Sequence, residues 1–75
     1  MLNLSQLQPG ESAHIHAIHA EESLFHRLNA MGFRIGKKIE LVRQASFGGP
    51  VHVRLGSTDI ILRLTEANRI QIARA

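Results

Sequence analysis

Between His14 and His19 the chain reads HIHAIH, which places three of its five histidines within six residues. Imidazole is the commonest metal-ligating side chain. Read as a strand, the segment puts His14 and His16 on one face, roughly 6.5–7 Å apart. That pair could offer two ligands to a transition-metal ion. His19 falls on the opposite face unless the strand bends. No Asp lies nearby, and Glu21 and Glu22 belong to the element that follows. A structural or catalytic metal site takes three or four convergent ligands. His14 and His16 are therefore weak metal candidates only. The expectation is solvent-facing strand histidines, with no resident metal and no cofactor.

Other chemistry is sparse. The chain holds no cysteine, which removes disulfides, thiolate catalysis and zinc-finger clusters. No Ser-His-Asp order has a spacing that supports nucleophilic catalysis. FGGP, from Phe47 to Pro50, is not a phosphate loop, because no Gly-Lys-Ser/Thr follows it and the next element is a strand. Asp59 is better matched with Arg54 than with Glu66 as an acid–base pair. The expectation is no enzymatic activity. The contact candidates are Phe47, Gly48, Gly49 and Pro50, since an aromatic at a glycine-rich loop tip is seldom needed for turning alone. The competing use of Phe47 is as a lid folded back on the core. Arg63 is read on an outer strand face, as a partner contact or half of a cross-strand ion pair.

These residues need elements to hold them. Pro9-Gly10 makes a turn, and Ala13, Ile15 and Ala17 then alternate with histidines at strand period. Leu24, Leu28 and Met31 recur at helical spacing, with Glu21 and Glu22 at the end where the helix dipole favours negative charge. Gly32 as the left-handed C′ residue makes Leu28 and Phe33 the apolar pair of a Schellman ending. Ile39 and Leu41 return to period two, with Lys38, Glu40 and Val42 on the other face. Residues 51–64 read as a hairpin around Gly56-Ser57, in which Arg54 faces Asp59, Val53 faces Ile60 and Val51 faces Leu62. Thr65 is the expected cap of a single helical turn reaching Asn68. Ile70 and Ile72 form a last strand. The inventory is mainly β: five short strands, one short helix after the first, curled into a small SH3-like barrel. Residues 1–75 are expected to form one domain.

Nine Lys and Arg against six acids give a net charge of +3 over 75 residues. The charges are scattered, and Lys37-Lys38 is the sole adjacent basic pair. A nucleic-acid-binding barrel is the alternative that the charge suggests. Single-strand binders interleave aromatics with cations, and three Phe with no Tyr or Trp argue against it. No apolar run approaches the ~20 residues that span a bilayer. The N-terminus lacks a basic signal region, so a cytoplasmic location is expected.

Three stretches carry a resemblance: RLNAMGFRIGKKIELV from Arg27, ASFGGPV from Ala45, and IILRLTEANRIQI from Ile60. Their order and spacing resemble the FeoA family, small proteins of bacterial ferrous-iron uptake. The matching positions are Arg27, Leu28, Gly32, Phe33, Gly36, Gly49, Pro50, Arg63, Glu66, Ala67 and Ile70. Ser46 departs from the pattern, where the family often has proline. FeoA-like domains also end metal-dependent repressors. With no helix-turn-helix ahead of the barrel, the stand-alone transport component is expected. The resemblance implies an SH3-like barrel that assists the FeoB permease and its cytosolic GTPase domain through protein contact.

Overall fold

A computed structural model describes residues 2–74. The elements are β1 (Leu2–Asn3), a 3₁₀ turn (Leu4–Gln6), β2 (Ser12–Ile18), α1 (Glu22–Ala30), β3 (Lys38–Gln44), β4 (Val51–Leu55), β5 (Thr58–Leu62), α2 (Leu64–Ala67) and β6 (Ile70–Arg74). The strands form one antiparallel sheet in the order β1-β6-β2-β3-β4-β5. It curls around a core with the alternation that strands dictate. Ala13 and Ile15, Ile39 and Leu41, Val51 and Val53, and Ile70 and Ile72 all point inward and are buried. Leu4, Leu28, Phe33 and Ala67 close the interior from the turns and helices.

Short-range expectations hold in detail. Phe33 N–H donates to Leu28 C=O at 3.0 Å and Gly32 N–H to Asn29 C=O at 3.0 Å. Gly32 takes φ +104°. Those are the two bonds and the left-handed residue of a Schellman motif, and both Leu28 and Phe33 are fully buried. At the other end of α1 the Glu21 carboxylate accepts from Ser23 N–H at 2.9 Å and Leu24 N–H at 2.7 Å. The β4–β5 hairpin has the expected register: Arg54 opposite Asp59, Val53 opposite Ile60 and Val51 opposite Leu62. Gly56 has φ +60° and Ser57 no positive φ, the pattern of a type II′ turn that suits strand twist.

Three features differ from the sequence expectation. A sixth strand exists, because Leu2 and Asn3 pair with Ile72 and Gln71 of β6. Two residues are too few to show a period. Thr65 is not the cap of α2. Arg63 holds that position, and the Glu66 carboxylate reaches back to accept from Arg63 N–H at 2.9 Å. A glutamate at the third helical position can satisfy the cap backbone in this way. Finally, β2 and β3 carry bulges, with register shifts between Ile15 and Ala17 and between Leu41 and Arg43. Each re-aims the residues that follow.

Ion pairs join elements on the outer surface. Arg27 of α1 pairs with Glu66 of α2. Arg74 Nε lies 3.0 Å from Glu11 Oε2. Arg54 Nε and Nη2 grip the Asp59 carboxylate at 2.7 and 3.3 Å, and His52 Nε2 stands 3.1 Å from Asp59 Oδ2. His52 Nε2 is itself buried, and this carboxylate is the charged group nearest to it among the ion pairs. Hydrogen bonds from Arg54 hold the Asp59 carboxyl below its ordinary value. The Glu11 carboxyl is lowered first by the backbone N–H of Gln8 and then by Arg74.

Two predictions follow from these local devices. A Cβ at Gly32 would meet only Leu55 Cδ1 at 3.8 Å, so Gly32→Ala has room but strained backbone. The expected cost is about 1–2 kcal/mol, read as a Tm lower by roughly 4–16 °C. An unchanged Tm would show that the Schellman ending is not needed. Asp59 and Glu11 have folded pKa values below their unfolded ones. Their contribution is therefore complete above the ordinary carboxylate range and is lost as pH falls through the lowered values. Urea midpoints at neutral and acid pH should converge in Asp59→Asn, and equal acid sensitivity in wild type and variant would remove Asp59 from the effect.

Candidate functional site

The β3–β4 connection, residues 45–50, is closed by Ala45 N–H donating to Pro50 C=O at 3.0 Å. Inside it Gly49 N–H reaches Ser46 C=O at 3.3 Å. Phe47 and Gly48, the two central residues, have φ +59° and +75°. Positive φ at both positions is the type I′ turn, which ordinarily takes Asn, Asp or Gly at the first. Phe47 is the sole non-glycine residue with positive φ among the described residues. Its side chain is fully exposed, at 106% of the reference area. The lid alternative is thereby corrected: no part of the core lies under this ring.

The flanking glycines have separate reasons. A Cβ on Gly49 would sit 2.7 Å from Ala45 Cβ and 3.2 Å from Ser46 O, too close to be accommodated without movement. A Cβ on Gly48 would stand 3.7 Å from Leu64 Cδ2. The loop therefore lies over Leu64, the first residue of α2, and beside its exposed cap Arg63. The Val51–Leu62 pairing brings Pro50 and Arg63 to the same end of the sheet. Phe47, Gly48, Gly49, Pro50 and Arg63 thus gather at one edge of the barrel.

Arg63 is not on a strand face, which corrects its expected setting. The chain leaves β5 after Leu62 and enters the α2 cap, so a cross-strand partner is out of register. Arg63 forms no ion pair among the described residues. Ile61, next to this edge on β5, is 63% exposed. Nothing in its strand pattern marked it, because alternation places it outside in any case.

The three histidines of HIHAIH do not converge. His14 pairs across the sheet with Lys38 and Ala73. It lines a shallow basin of about 510 Å³ with Gly36, Lys37, Lys38, Glu40 and Arg54. His16 is exposed at the β2 bulge. His19, past the end of β2, lines a separate groove with Glu21, Leu24, Glu66 and Arg69. Among the described residues no three His, Asp or Glu side chains converge on a metal-sized site. No helix among them is long and apolar enough to cross a membrane.

The FeoA domain family matches residues 2–74. Iron(II) transport protein A of Clostridium thermocellum is 36% identical, with a TM-score of 0.90 over 97% of this chain and 45% of that one. FeoA of Stenotrophomonas maltophilia, solved with zinc and described as an SH3 domain protein, is 30% identical, with a TM-score of 0.84 over 97% of this chain and 91% of that one. A manganese-dependent transcriptional repressor superposes with a TM-score of 0.91 over 99% of this chain and 41% of that one. Its 16% identity speaks for the fold alone. No curated protein matched the chain. The positions that carried the resemblance have structural work to do: Leu28, Phe33, Ala67 and Ile70 are core, Arg27 and Glu66 pair, and Gly32 and Gly36 take positive φ. With its SH3-like sheet, its Schellman-ended helix and a family match over residues 2–74, the chain belongs to the FeoA family of ferrous-iron transport.

Proposed function

We propose that this protein serves ferrous-iron transport by docking onto the cytosolic part of a FeoB-type permease, with the edge formed by Phe47 and Arg63. It acts as a binding module and not as an enzyme. The observation that carries this reading is Phe47, whose ring is fully exposed on a left-handed backbone. Exposure and strain both oppose stability. Holding a non-glycine residue in this region costs about 1–2 kcal/mol, and an aromatic gains nothing when it stays in water. Strain of this kind collects at functional sites. An exposed aromatic that fills a partner pocket contributes roughly 2 kcal/mol or more to binding. Arg63 beside it adds a cation with no internal carboxylate to satisfy.

The test uses a residue that suits the turn. Asn tolerates positive φ, so Phe47→Asn should fold with an unchanged or higher melting temperature. Capture of the permease's cytosolic domain should weaken by about 30-fold, the equivalent of ~2 kcal/mol. Arg63→Ala should weaken it by a smaller factor. A well-folded Phe47→Asn protein that binds the permease as wild type does would exclude this edge.

A further inference from the structure

At the other end of β3 the chain presents a different surface. Residues 34–37 form a tight turn in which Lys37 N–H donates to Arg34 C=O at 3.0 Å. Gly36 at φ +89° gives it the type II form. Two further bonds fix it against β2: Gly36 N–H to Ile15 C=O at 2.7 Å and Ile15 N–H to Lys37 C=O at 2.9 Å. The turn is therefore a rigid projection and not a loose loop.

Its apex is Ile35, 73% exposed. Met31, at the end of α1 just before, is 37% exposed. Around this apolar tip stand Arg34, Lys37 and Lys38, all exposed and all without a carboxylate partner among the described residues. Lys37 and Lys38 line the basin shared with His14 and Arg54. The one carboxylate on its wall, Glu40, is 4.0 Å from Arg54 Nη1. Positive charge is thus in excess around a protruding hydrophobic residue, with Arg34, Lys37 and Lys38 against the single carboxylate of Glu40.

We infer that this turn is a contact site for an anionic phospholipid surface, with Ile35 entering the headgroup layer and Arg34, Lys37 and Lys38 facing lipid phosphates. The chemistry favours a bilayer over an acidic protein segment. The apolar tip is convex, and no apolar side chain lines the basin beside it, so that basin offers no pocket for a partner's hydrophobic residue. Lysines are compact, mobile charges suited to a diffuse negative surface, whereas specific carboxylate recognition favours the Arg fork. Juxtaposed cations and an exposed apolar residue are the two attractions that hold peripheral proteins at anionic membranes. Three cations and one isoleucine give weak binding alone. The inference rests in part on the proposed permease docking, which would hold the barrel beside a bilayer and raise the effective lipid concentration.

Vesicles separate this contact from permease docking, since they contain no protein. Wild-type protein should co-sediment with phosphatidylglycerol-rich vesicles at low ionic strength. It should not do so with phosphatidylcholine vesicles, and high salt should release it. Lys37→Glu with Lys38→Glu should lower the apparent binding constant at least about tenfold. Ile35→Asp, at an exposed position that leaves the fold intact, should lower it by about fivefold. The control is Arg43→Glu with Arg69→Glu, the same change in net charge at other exposed sites; it should retain most of the binding. Melting curves of each variant confirm that it is folded. Absence of binding to the anionic vesicles overturns the inference. So does an equal loss in the control pair, which would mean attraction by net charge alone. Binding of an acidic peptide in preference to the vesicles would overturn it in favour of a protein partner.

Discussion

The hydrogen bond from Phe33 N–H to Leu28 C=O is the constraint on which the rest of the molecule turns. It ends α1 and reverses the chain within one residue of left-handed backbone, Gly32. The reversal drives Phe33, the largest fully buried side chain, into the barrel mouth and leaves Leu28 beneath the helix. Gly32 lies against Leu55, so the same corner is capped by the end of β4. A domain this small has little apolar surface to bury, and losing one aromatic anchor would remove a large share of its core. The same corner sets the direction in which residues 34–37 project before β3 begins.

Two tight turns in this sheet differ in what they ask of their residues. The β4–β5 hairpin uses Gly56 where φ is positive and places Ser57 where it is not. It is unstrained. The β3–β4 turn needs positive φ twice, supplies glycine at the second position and Phe47 at the first. Glycine, Asn or Asp would make this turn at lower cost. The surrounding loop absorbs the strain because Ala45 and Pro50 close its base and Gly49 permits the close approach of Ala45. A costly residue held in a well-braced frame is what a site selected for contact would have.

Much of the fold was legible in the sequence because its signals are local. The Schellman ending needs six residues, and the hairpin register follows from one glycine and three matched pairs. What escaped depends on pairing between distant parts of the chain. Leu2 and Asn3 become a strand only through β6, some seventy positions later. The bulge at His16 arises from the β2–β6 register and not from any residue in HIHAIH. Leu62 and Leu64 alternate around Arg63 as they would on a strand; the Glu66 carboxylate bond to its backbone starts a helix there instead. Within the candidate site, Phe47 and its glycines stood out as residue types. Their meeting with Arg63 and Leu64 could not be read, since it comes from the packing of a loop on a helix. Ile35 escaped for the opposite reason: an isoleucine between charged residues and glycines looks like an ordinary surface position until the turn lifts it clear.

The placement of the two exposed features follows from β3. Residues 34–37 lead into its start at Lys38, and residues 45–50 leave from its end at Gln44. Six steps of roughly 3.3 Å separate those ends by about 20 Å. The strand between them pairs on both sides, with β2 and β4, so neither contact can move toward the other without breaking the sheet. A flexible linker would let each contact form independently. A paired central strand instead fixes their separation and mutual angle, so that making one contact positions the other. On the proposed assignments, the barrel's contribution is geometric. It holds an aromatic anchor for a protein and a cationic tip for a lipid surface at a set distance, on a chain of 8.3 kDa.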